Sequence, residues 1–110
     1  MAHLPINEII MEPCYDGKLL SIVIPVFNEA EVIEKFYSCI TKAIENINME
    51  VELLFVNDGS SDKTMSILEN LAKNHSVSVI SLSRNFGKEI AMTAGLDYSN
   101  GDAVVIIDAD

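Results

Sequence analysis

Four short apolar segments alternate with segments of helical periodicity, and this alternation constrains the fold more than any other feature of the sequence. The apolar segments are LLSIVIPVF (19–27), VELLFVND (51–58), VSVISLS (77–83) and AVVIIDAD (103–110). Strands that are apolar on both faces are typical of a parallel sheet covered by helices. The order β-α-β-α-β-α-β with short connections therefore predicts an α/β fold of three layers, α/β/α, with a mostly parallel sheet.

The segments between the strands show the spacing of amphipathic helices. In the first, Asn28 followed by Glu31 predicts the N-terminal cap, and apolar residues recur at intervals of three and four. That stripe comprises Ile33, Phe36, Tyr37, Ile40, Ile44 and Ile47. A shorter helix is predicted at about 62–74, after a Gly-Ser-Ser turn in which one of the serines caps it. A third is predicted at about 88–98.

Composition limits the classes of function. The chain has 110 residues, 49% hydrophobic and 22% charged, so it is one globular domain or part of a larger one. Its formal net charge of −10 argues against binding to nucleic acid or to an anionic membrane surface. No apolar run approaches the roughly 20 residues that span a bilayer. Residues 1–18 form a poorly specified lead-in without the pattern of a signal peptide.

Every predicted strand ends in polar residues. The clusters are Asn28-Glu29, Asn57-Asp58-Gly59, Ser83-Arg84-Asn85 and Asp108-Ala109-Asp110. Because ligands bind beyond the carboxyl ends of the strands in such sheets, four clusters at one edge predict a binding site. The sequence has no G-x-G-x-x-G after the first strand and no Walker loop, which argues against dinucleotide-binding and P-loop enzymes.

The last cluster suggests a metal site. On a strand, Asp108 and Asp110 would share a face, roughly 6–7 Å apart. Their repulsion would cost about 2–3 kcal/mol at an effective dielectric constant of about 20. A divalent cation would reverse the sign of that interaction, since Mg²⁺ and Mn²⁺ prefer carboxylate oxygens. The alternative is a strand that runs into a solvated acidic turn.

Taken together, these motifs resemble the GT-A-fold glycosyltransferases of family 2. The matching segments are IVIPVFNEAEVI, FVNDGSSDKT, SRNFGKEIAMTAGLDYSNGD and VVIIDAD. The third is most similar to the polyprenyl-phosphate branch, which contains dolichol-phosphate mannosyltransferases and bacterial undecaprenyl-phosphate glucosyltransferases. Phe27 departs mildly from the tyrosine that is common there. The resemblance implies that residues 19–110 are the Rossmann-like, donor-nucleotide-binding half of a GT-A domain, without its C-terminal acceptor half.

The resemblance also implies a set of contacts with the donor nucleotide. The set comprises Pro25, Val26, Asn28, Glu29, Asp58, Gly59, Arg84, Lys88, Asp108 and Ala109. The end of the first strand would line the base, Glu29 would lie near the ribose, and Asp58 would accept a hydrogen bond from the base, such as a uracil imide N–H. Simpler alternatives remain: Glu29 as an acid favoured at a helix start, and Asp58 as a turn residue.

The cationic and metal-binding residues complete the implied site. Lys88 would contact the base or the diphosphate, and Arg84 would do the same or remain a solvated loop charge. Asp108 would face the ribose and the metal, and Asp110 would be a direct metal ligand. The cofactor would be Mg²⁺ or Mn²⁺, bridging the diphosphate oxygens.

The implied activity is metal-dependent, inverting transfer of a hexose from a nucleotide-diphosphate sugar, UDP-glucose or GDP-mannose, to a polyprenyl phosphate. No catalytic residue is predicted in this segment, because the base would lie downstream, so the isolated segment is expected to be inactive. The alternatives are a family 2 transferase with a polysaccharide or soluble acceptor, and a non-catalytic nucleotide-binding module. We expect a cytoplasmic segment of a protein at the cytoplasmic face of a membrane, self-association through the last strand, and no nucleic-acid partner.

Overall fold

The computed structural model describes residues 18–109, and its elements alternate between strand and helix as predicted. They are β1 (Leu19–Val26), α1 (Ile33–Ile44), β2 (Glu50–Asn57), α2 (Thr64–Leu71), β3 (Val77–Ser81), α3 (Lys88–Tyr98) and β4 (Ala103–Ile106). The strand order is β3-β2-β1-β4, and each neighbouring pair is parallel. The predicted α/β fold with a parallel sheet is confirmed. Apart from Lys18, the predicted lead-in lies outside the described residues.

The start of α1 differs from the prediction. Asn28 does not cap the helix, because its backbone adopts a left-handed conformation (φ 51°) and the chain turns once more before α1 begins at Ile33. The backbone N–H groups of Val32 and Ile33 both donate to the carbonyl oxygen of Glu29, at 3.0 and 3.1 Å. This extra turn replaces the predicted cap.

The start of α2 also corrects the prediction. The helix begins at Thr64, two residues later than expected, and Lys63 occupies the position before it. Ser60 and Ser61 do not cap α2, because both are hydrogen-bonded to Asn28 in the loop after β1. Long-range contacts between the two loops therefore replace the local cap that the sequence pattern suggested.

The last strand is shorter than the apolar segment that predicted it. β4 ends at Ile106, although Ile107 still donates its N–H to β1. Pro25 lies opposite this point on β1, and it has no N–H with which to extend the pairing. Asp108 therefore follows the strand, so its predicted place on a strand face was wrong. Asp110 lies outside the described residues.

The sheet is covered on both faces, which accounts for strands that are apolar throughout. One face packs against α1 and α2, and its buried residues include Leu20, Ile22, Ile24, Ile33, Ile40, Leu53, Phe55 and Leu68. The other face packs against α3 and includes Val23, Leu54, Val56 and Ala91. The predicted stripe of α1 is confirmed, with Ile33, Ile40 and Ile47 buried.

Helix α3 approaches the sheet through small residues. Ala91 and Gly95 lie one turn apart on its buried side. A Cβ added at Gly95 would lie 2.3 Å from Cγ1 of Val23, a fully buried side chain with a stiff β-branched rotamer. The close approach of α3 to β1 thus depends on glycine at this position. This close contact helps to set the position of α3, whose N-terminus reaches the carboxyl edge of the sheet.

We expect Gly95→Ala to destabilise the chain. In an exposed helix the change would stabilise by about 1 kcal/mol, but overpacking against Val23 costs about 1–3 kcal/mol. The free energy of unfolding in urea should therefore fall, by up to about 2 kcal/mol. Thr93→Ala, an exposed change in the same helix, should alter it by less than about 0.5 kcal/mol. A gain in stability for Gly95→Ala would show that α3 does not depend on this close contact.

Candidate functional site

A cleft of about 300 Å³ opens at the carboxyl edge of the sheet, where the strand ends meet. Its lining residues are Pro25, Val26, Phe27, Glu29, Asp58, Asn85, Gly87, Lys88 and Asp108. Six of these were predicted as nucleotide contacts, and they come from four separate segments of the chain. Phe27, Asn85 and Gly87 were not in the predicted set, although Asn85 belongs to one of the polar clusters at the strand ends and Phe27 directly precedes another. The arrangement matches the general place of ligands in parallel sheets.

Pro25 and Val26 form the apolar wall of the cleft. The carbonyl of Val26 points toward β2 and accepts the N–H of Asp58 at 2.9 Å. Since successive residues of a strand direct their backbone polar groups to opposite sides, those of the preceding Pro25 face β4. The pairing of β1 with β4 stops at this residue, because Pro25 has no N–H to donate. Phe27 follows with its ring 44% exposed. The wall thus combines a fixed backbone with an accessible aromatic ring.

The Asn28 side chain joins two loops outside the cleft lining. Its Oδ1 accepts hydrogen bonds from the backbone N–H groups of Ser61 and Asp62, at 2.8 and 3.3 Å. Its own N–H donates to Ser60 Oγ at 2.9 Å. Left-handed backbone is tolerated better by asparagine than by most residues. The structure gives Asn28 this bridging role, and its contact with the nucleotide stays a prediction.

A second bridge lies beside the first. The N–H of Glu29 donates to Thr64 Oγ1 at 3.0 Å, and the N–H of Ala30 donates to Asp62 Oδ2 at 3.3 Å. The hydroxyl and the N–H of Thr64 both donate to Asp62 Oδ1, at 2.5 and 2.9 Å. The hydroxyl of Thr64 is the main cause that lowers the pKa of Asp62, with weaker help from backbone N–H groups and some opposition from desolvation. Asp62 thus starts α2 and holds the loop that carries Glu29.

Asp58 is buried at the base of the cleft, with 4% of its surface exposed. Its Oδ1 accepts the N–H of Phe86 at 2.8 Å, and its Oδ2 accepts the N–H of Gly87 at 3.0 Å. Both oxygens are therefore engaged by the loop between β3 and α3. Each retains a second lone pair, so the predicted contact with a base stays a prediction.

Gly59 lets the same two segments touch. Its φ is +70°, and a Cβ added there would lie 2.2 Å from the carbonyl carbon of Arg84 and 2.3 Å from the nitrogen of Asn85. Its predicted part in a tight turn is confirmed, but it does not line the cleft. Arg84 does not line it either, since its guanidinium lies 4.6 Å from the centroid of the Phe86 ring.

An ion pair joins two of the side chains that line the cleft. Lys88 Nζ lies 2.5 Å from Asp108 Oδ1, with the two side chains 56% and 47% exposed. Exposed pairs of this kind contribute little to stability, typically 0–1 kcal/mol. Their importance is positional, because Lys88 opens α3 and Asp108 follows β4. Ala109, the remaining predicted contact, is not among the lining residues.

The carboxylates fit a cation only when it is shared with a ligand. Within residues 18–109 no three His, Cys, Asp or Glu side chains are grouped as a cation site. The oxygens of Asp58 are taken by N–H groups, whereas Asp108 presents an exposed carboxylate at the rim. Mg²⁺ is commonly bound by one or two carboxylates together with water and substrate phosphates. The donor set fits that chemistry rather than a closed protein cage.

Comparison with known proteins gives the same assignment as the motifs. The family model described as Glycosyl transferase family 2 matches residues 21–110. A bactoprenol glucosyl transferase of Shigella phage SfV is 50% identical over 92 residues, which are 83% of this chain and 30% of that protein. The chain likewise spans about 30% of the length of three other curated relatives.

Solved structures agree with the fold. A mannosyltransferase from Pyrobaculum calidifontis, in complex with GDP-Man and Mn²⁺, has a TM-score of 0.76 at 25% identity, over 94% of this chain and 32% of that one. Glucosyl-3-phosphoglycerate synthase from Mycobacterium tuberculosis, with Mn²⁺, UDP and glucosyl-3-phosphoglycerate, has a TM-score of 0.68 at 28% identity, over 100% and 40%. The expected GT-A fold is confirmed. None of the helices within 18–109 has the length and hydrophobicity to cross a bilayer.

We expect Asp62 to stabilise the chain in a pH-dependent manner. Its pKa is lowered in the folded state, so the unfolded chain binds more protons in acid and stability there rises with pH. The advantage of wild type over Asp62→Asn should be complete above the ordinary aspartate pKa of about 3.9 and decline below it. Urea unfolding of both proteins at neutral pH and at about pH 3 measures this.

The matched control is Thr64→Val, which keeps the shape of the side chain and removes the hydroxyl donor. Since the hydroxyl is the main cause of the shift, this variant should lose much of the acid dependence that Asp62 confers. A difference between wild type and Asp62→Asn that stays constant over the whole pH range would contradict the assigned hydrogen bond.

Proposed function

Because the chain belongs to glycosyl transferase family 2, we propose that residues 19–110 are the donor-nucleotide-binding half of a GT-A glycosyltransferase. In this proposal the acceptor half and the catalytic base belong to a part of the protein beyond this sequence. The support is that the chain covers about 30% of its curated relatives, and that the family model matches residues 21–110. The 110-residue chain alone is then expected to bind donor without transferring sugar.

The proposed reaction is inverting transfer of a hexose from a nucleotide-diphosphate sugar to a polyprenyl phosphate. The donor would be UDP-glucose or GDP-mannose, since structural neighbours bind UDP and GDP-Man. The acceptor follows from the 50% identity to a bactoprenol glucosyl transferase. Such an acceptor would place the whole protein at the cytoplasmic face of a membrane. The cleft formed by Glu29, Asp58, Lys88 and Asp108 carries the proposal, because these residues converge from four segments.

The inner part of the cleft suits a nucleoside. Pro25 and Val26, at the buried end of β1, line the cleft where a base would lie, and Phe27, with 44% of its surface exposed, lines it as well. Glu29 lines the same wall, where a carboxylate is a good acceptor for ribose hydroxyls. In this proposal the base enters along β1 and the ribose lies toward the start of α1.

The outer part of the cleft suits a diphosphate. Lys88 supplies a positive charge, and the N-terminus of α3 adds the favourable end of a helix dipole. Asp108 and Asp110 would hold a divalent cation, Mg²⁺ or Mn²⁺, which supplies further positive charge for the diphosphate oxygens. Lys88 would orient the diphosphate and stabilise the charge that develops on the departing nucleotide. Asp108, released from its ion pair with Lys88, would turn toward the cation and the ribose.

One observation favours a second candidate of the same family. The Mycobacterium tuberculosis neighbour is a glucosyl-3-phosphoglycerate synthase, so this fold also serves a soluble acceptor. A polysaccharide acceptor, or a non-catalytic nucleotide-binding module, draws no comparable support from the relatives found. A complete protein that glucosylates a soluble acceptor but not a polyprenyl phosphate would favour the second candidate.

We expect the chain to bind UDP-glucose or GDP-mannose in a metal-dependent manner. In calorimetric titrations, Mn²⁺ should strengthen binding of the cognate donor at least about tenfold over excess chelator, which is about 1.4 kcal/mol. Asp110→Ala should abolish this gain, because it removes a proposed cation ligand. No sugar should be released from the donor to an added polyprenyl phosphate by the 110-residue chain.

The matched control is Asp97→Ala. Asp97 is exposed in the last turn of α3, at the opposite end of that helix from the cleft, so its removal changes the net charge equally without touching the site. It should leave both the affinity and the Mn²⁺ dependence unchanged. Equal binding with Mn²⁺ and with chelator in the wild type would argue against the metal role.

A further inference from the structure

We propose that Asp58 is a positioning residue, which sets the phosphate end of the donor site by clamping the loop that leads into α3. The inference rests on the proposed function for its ligand, but the clamp itself rests on the geometry of the chain. A contact between Asp58 and the base edge would make the carboxylate a direct recognition group. The buried hydrogen bonds point to an additional action, through residues 86–88.

The first observation is the burial and engagement of the carboxylate. Asp58 is 4% exposed, and its two oxygens accept from two successive backbone N–H groups, those of Phe86 and Gly87. Hydrogen bonds to an ionised acceptor are stronger than neutral ones, and a buried carboxylate requires such partners. Two successive N–H groups bound by one carboxylate fix the orientation of the peptide planes in the loop.

The second observation is that the two neighbours of Asp58, Asn57 and Gly59, also contact the segment between β3 and α3. The N–H of Leu82 donates to the carbonyl of Asn57 at 2.9 Å, which extends the pairing of β2 and β3 up to the loop. Gly59 then packs directly against the backbone of Arg84 and Asn85. Each of residues 57–59 therefore makes a contact with the segment between β3 and α3. The contact of the Asp58 carboxylate is the one nearest to α3.

The third observation links the clamp to the first residue of α3. Gly87 donates its N–H to Asp58, and its carbonyl accepts the N–H of Ala91 at 3.1 Å, in the first turn of α3. Asp58 thus binds the N–H of Gly87, and the carbonyl of the same residue accepts a hydrogen bond from the first turn of α3. Lys88 comes next, and it lines the cleft. The position of the Lys88 ammonium group then depends on the clamp.

The clamp has a chemical consequence for phosphate binding. A loop with successive N–H groups ahead of a helix is a common cradle for anions. Here the carboxylate of Asp58 already occupies the N–H groups of Phe86 and Gly87, so they are not offered to a donor phosphate. A phosphate at this edge would be bound by Lys88 and by the N–H groups within the first turn of α3. Asp58 would act on it through their placement.

The clamp is tested without any ligand by amide hydrogen exchange and NMR on the 110-residue chain. Asp58→Asn removes the charge and one acceptor oxygen while keeping the shape. Exchange at the amides of Phe86 and Gly87 should become at least about tenfold faster, with little change in the core of β1. Unchanged exchange at both amides would overturn the proposal.

Asp102→Asn is the matched control. The Asp102 carboxylate also accepts a backbone N–H, that of Leu19 at 2.9 Å, but it lies before β4, at the opposite edge of the sheet. This variant should leave exchange at Phe86 and Gly87 unchanged. Should Asp58→Asn fail to fold, scalar couplings across the hydrogen bonds from these two amides to the Asp58 carboxyl carbon test the clamp in the wild type. Their absence would overturn it.

A double-mutant cycle with Lys88→Met distinguishes positioning from direct contact. UDP with Mn²⁺ is the probe, and its Kd is measured for wild type, both single variants and the double variant. If Asp58 acts through Lys88, Asp58→Asn should weaken binding about tenfold in the wild type but less than about threefold in the Lys88→Met background. Equal weakening in both backgrounds would show that Asp58 does not act through Lys88, and would overturn the positioning role.

The hydrogen-exchange and nucleotide-binding experiments distinguish a failure of this inference from a failure of the proposed function. If the wild-type chain fails to bind UDP or GDP with Mn²⁺, the proposed function is refuted for this chain and the donor-positioning role falls with it. Exchange at Phe86 and Gly87 would still establish or refute the clamp. If the nucleotide binds but exchange does not respond to Asp58→Asn, the proposed function stands and the clamp is wrong.

Discussion

The hydrogen bonds from Phe86 and Gly87 to the buried carboxylate of Asp58 hold together the segments that enclose the cleft. The N–H of Asp58 is bound to the end of β1, so one residue connects β1, β2 and the start of α3. Without these contacts, a parallel sheet would still place its strand ends at one edge. In our proposal, the contacts of Asp58 add the placement of Lys88, which lines the same cleft as Pro25 and Val26.

The remaining wall is held by a second set of polar contacts, from Asn28 and Asp62. They tie the loop after β1 to the turn before α2, mostly through backbone N–H groups. Because both sets are made within the chain, the cleft exists without a ligand, which favours binding by lowering the cost of ordering. The chain carries a formal charge of −10, yet Lys88 lies at the cleft beside Asp108. In our proposal, Lys88 together with a divalent cation would offset this negative charge and allow an anionic ligand to bind.

The sequence predicts the scaffold better than it predicts the partners of the polar residues. The apolar runs are local signals, and they were sufficient for the strand order along the chain, the parallel sheet and the edge where Glu29, Asp58 and Asp108 meet. Asn28 and the serines after Gly59 were assigned local capping roles, because capping patterns are read from neighbouring residues. Their observed partners lie 32–34 residues away in sequence, and no local pattern specifies such contacts. The early end of β4 follows from Pro25 on another strand, which is likewise a tertiary effect.

We propose that this cleft binds the diphosphate of a nucleotide sugar donor together with a divalent cation. A crystal structure of the chain with UDP and Mn²⁺, with the metal located from its anomalous scattering, is the decisive experiment. We expect the uracil against Pro25 and Val26, the diphosphate between Lys88 and Asp108, and the Mn²⁺ peak at Asp108 and Asp110. A nucleotide bound elsewhere on the chain, or a Mn²⁺ peak remote from both aspartates, would contradict it.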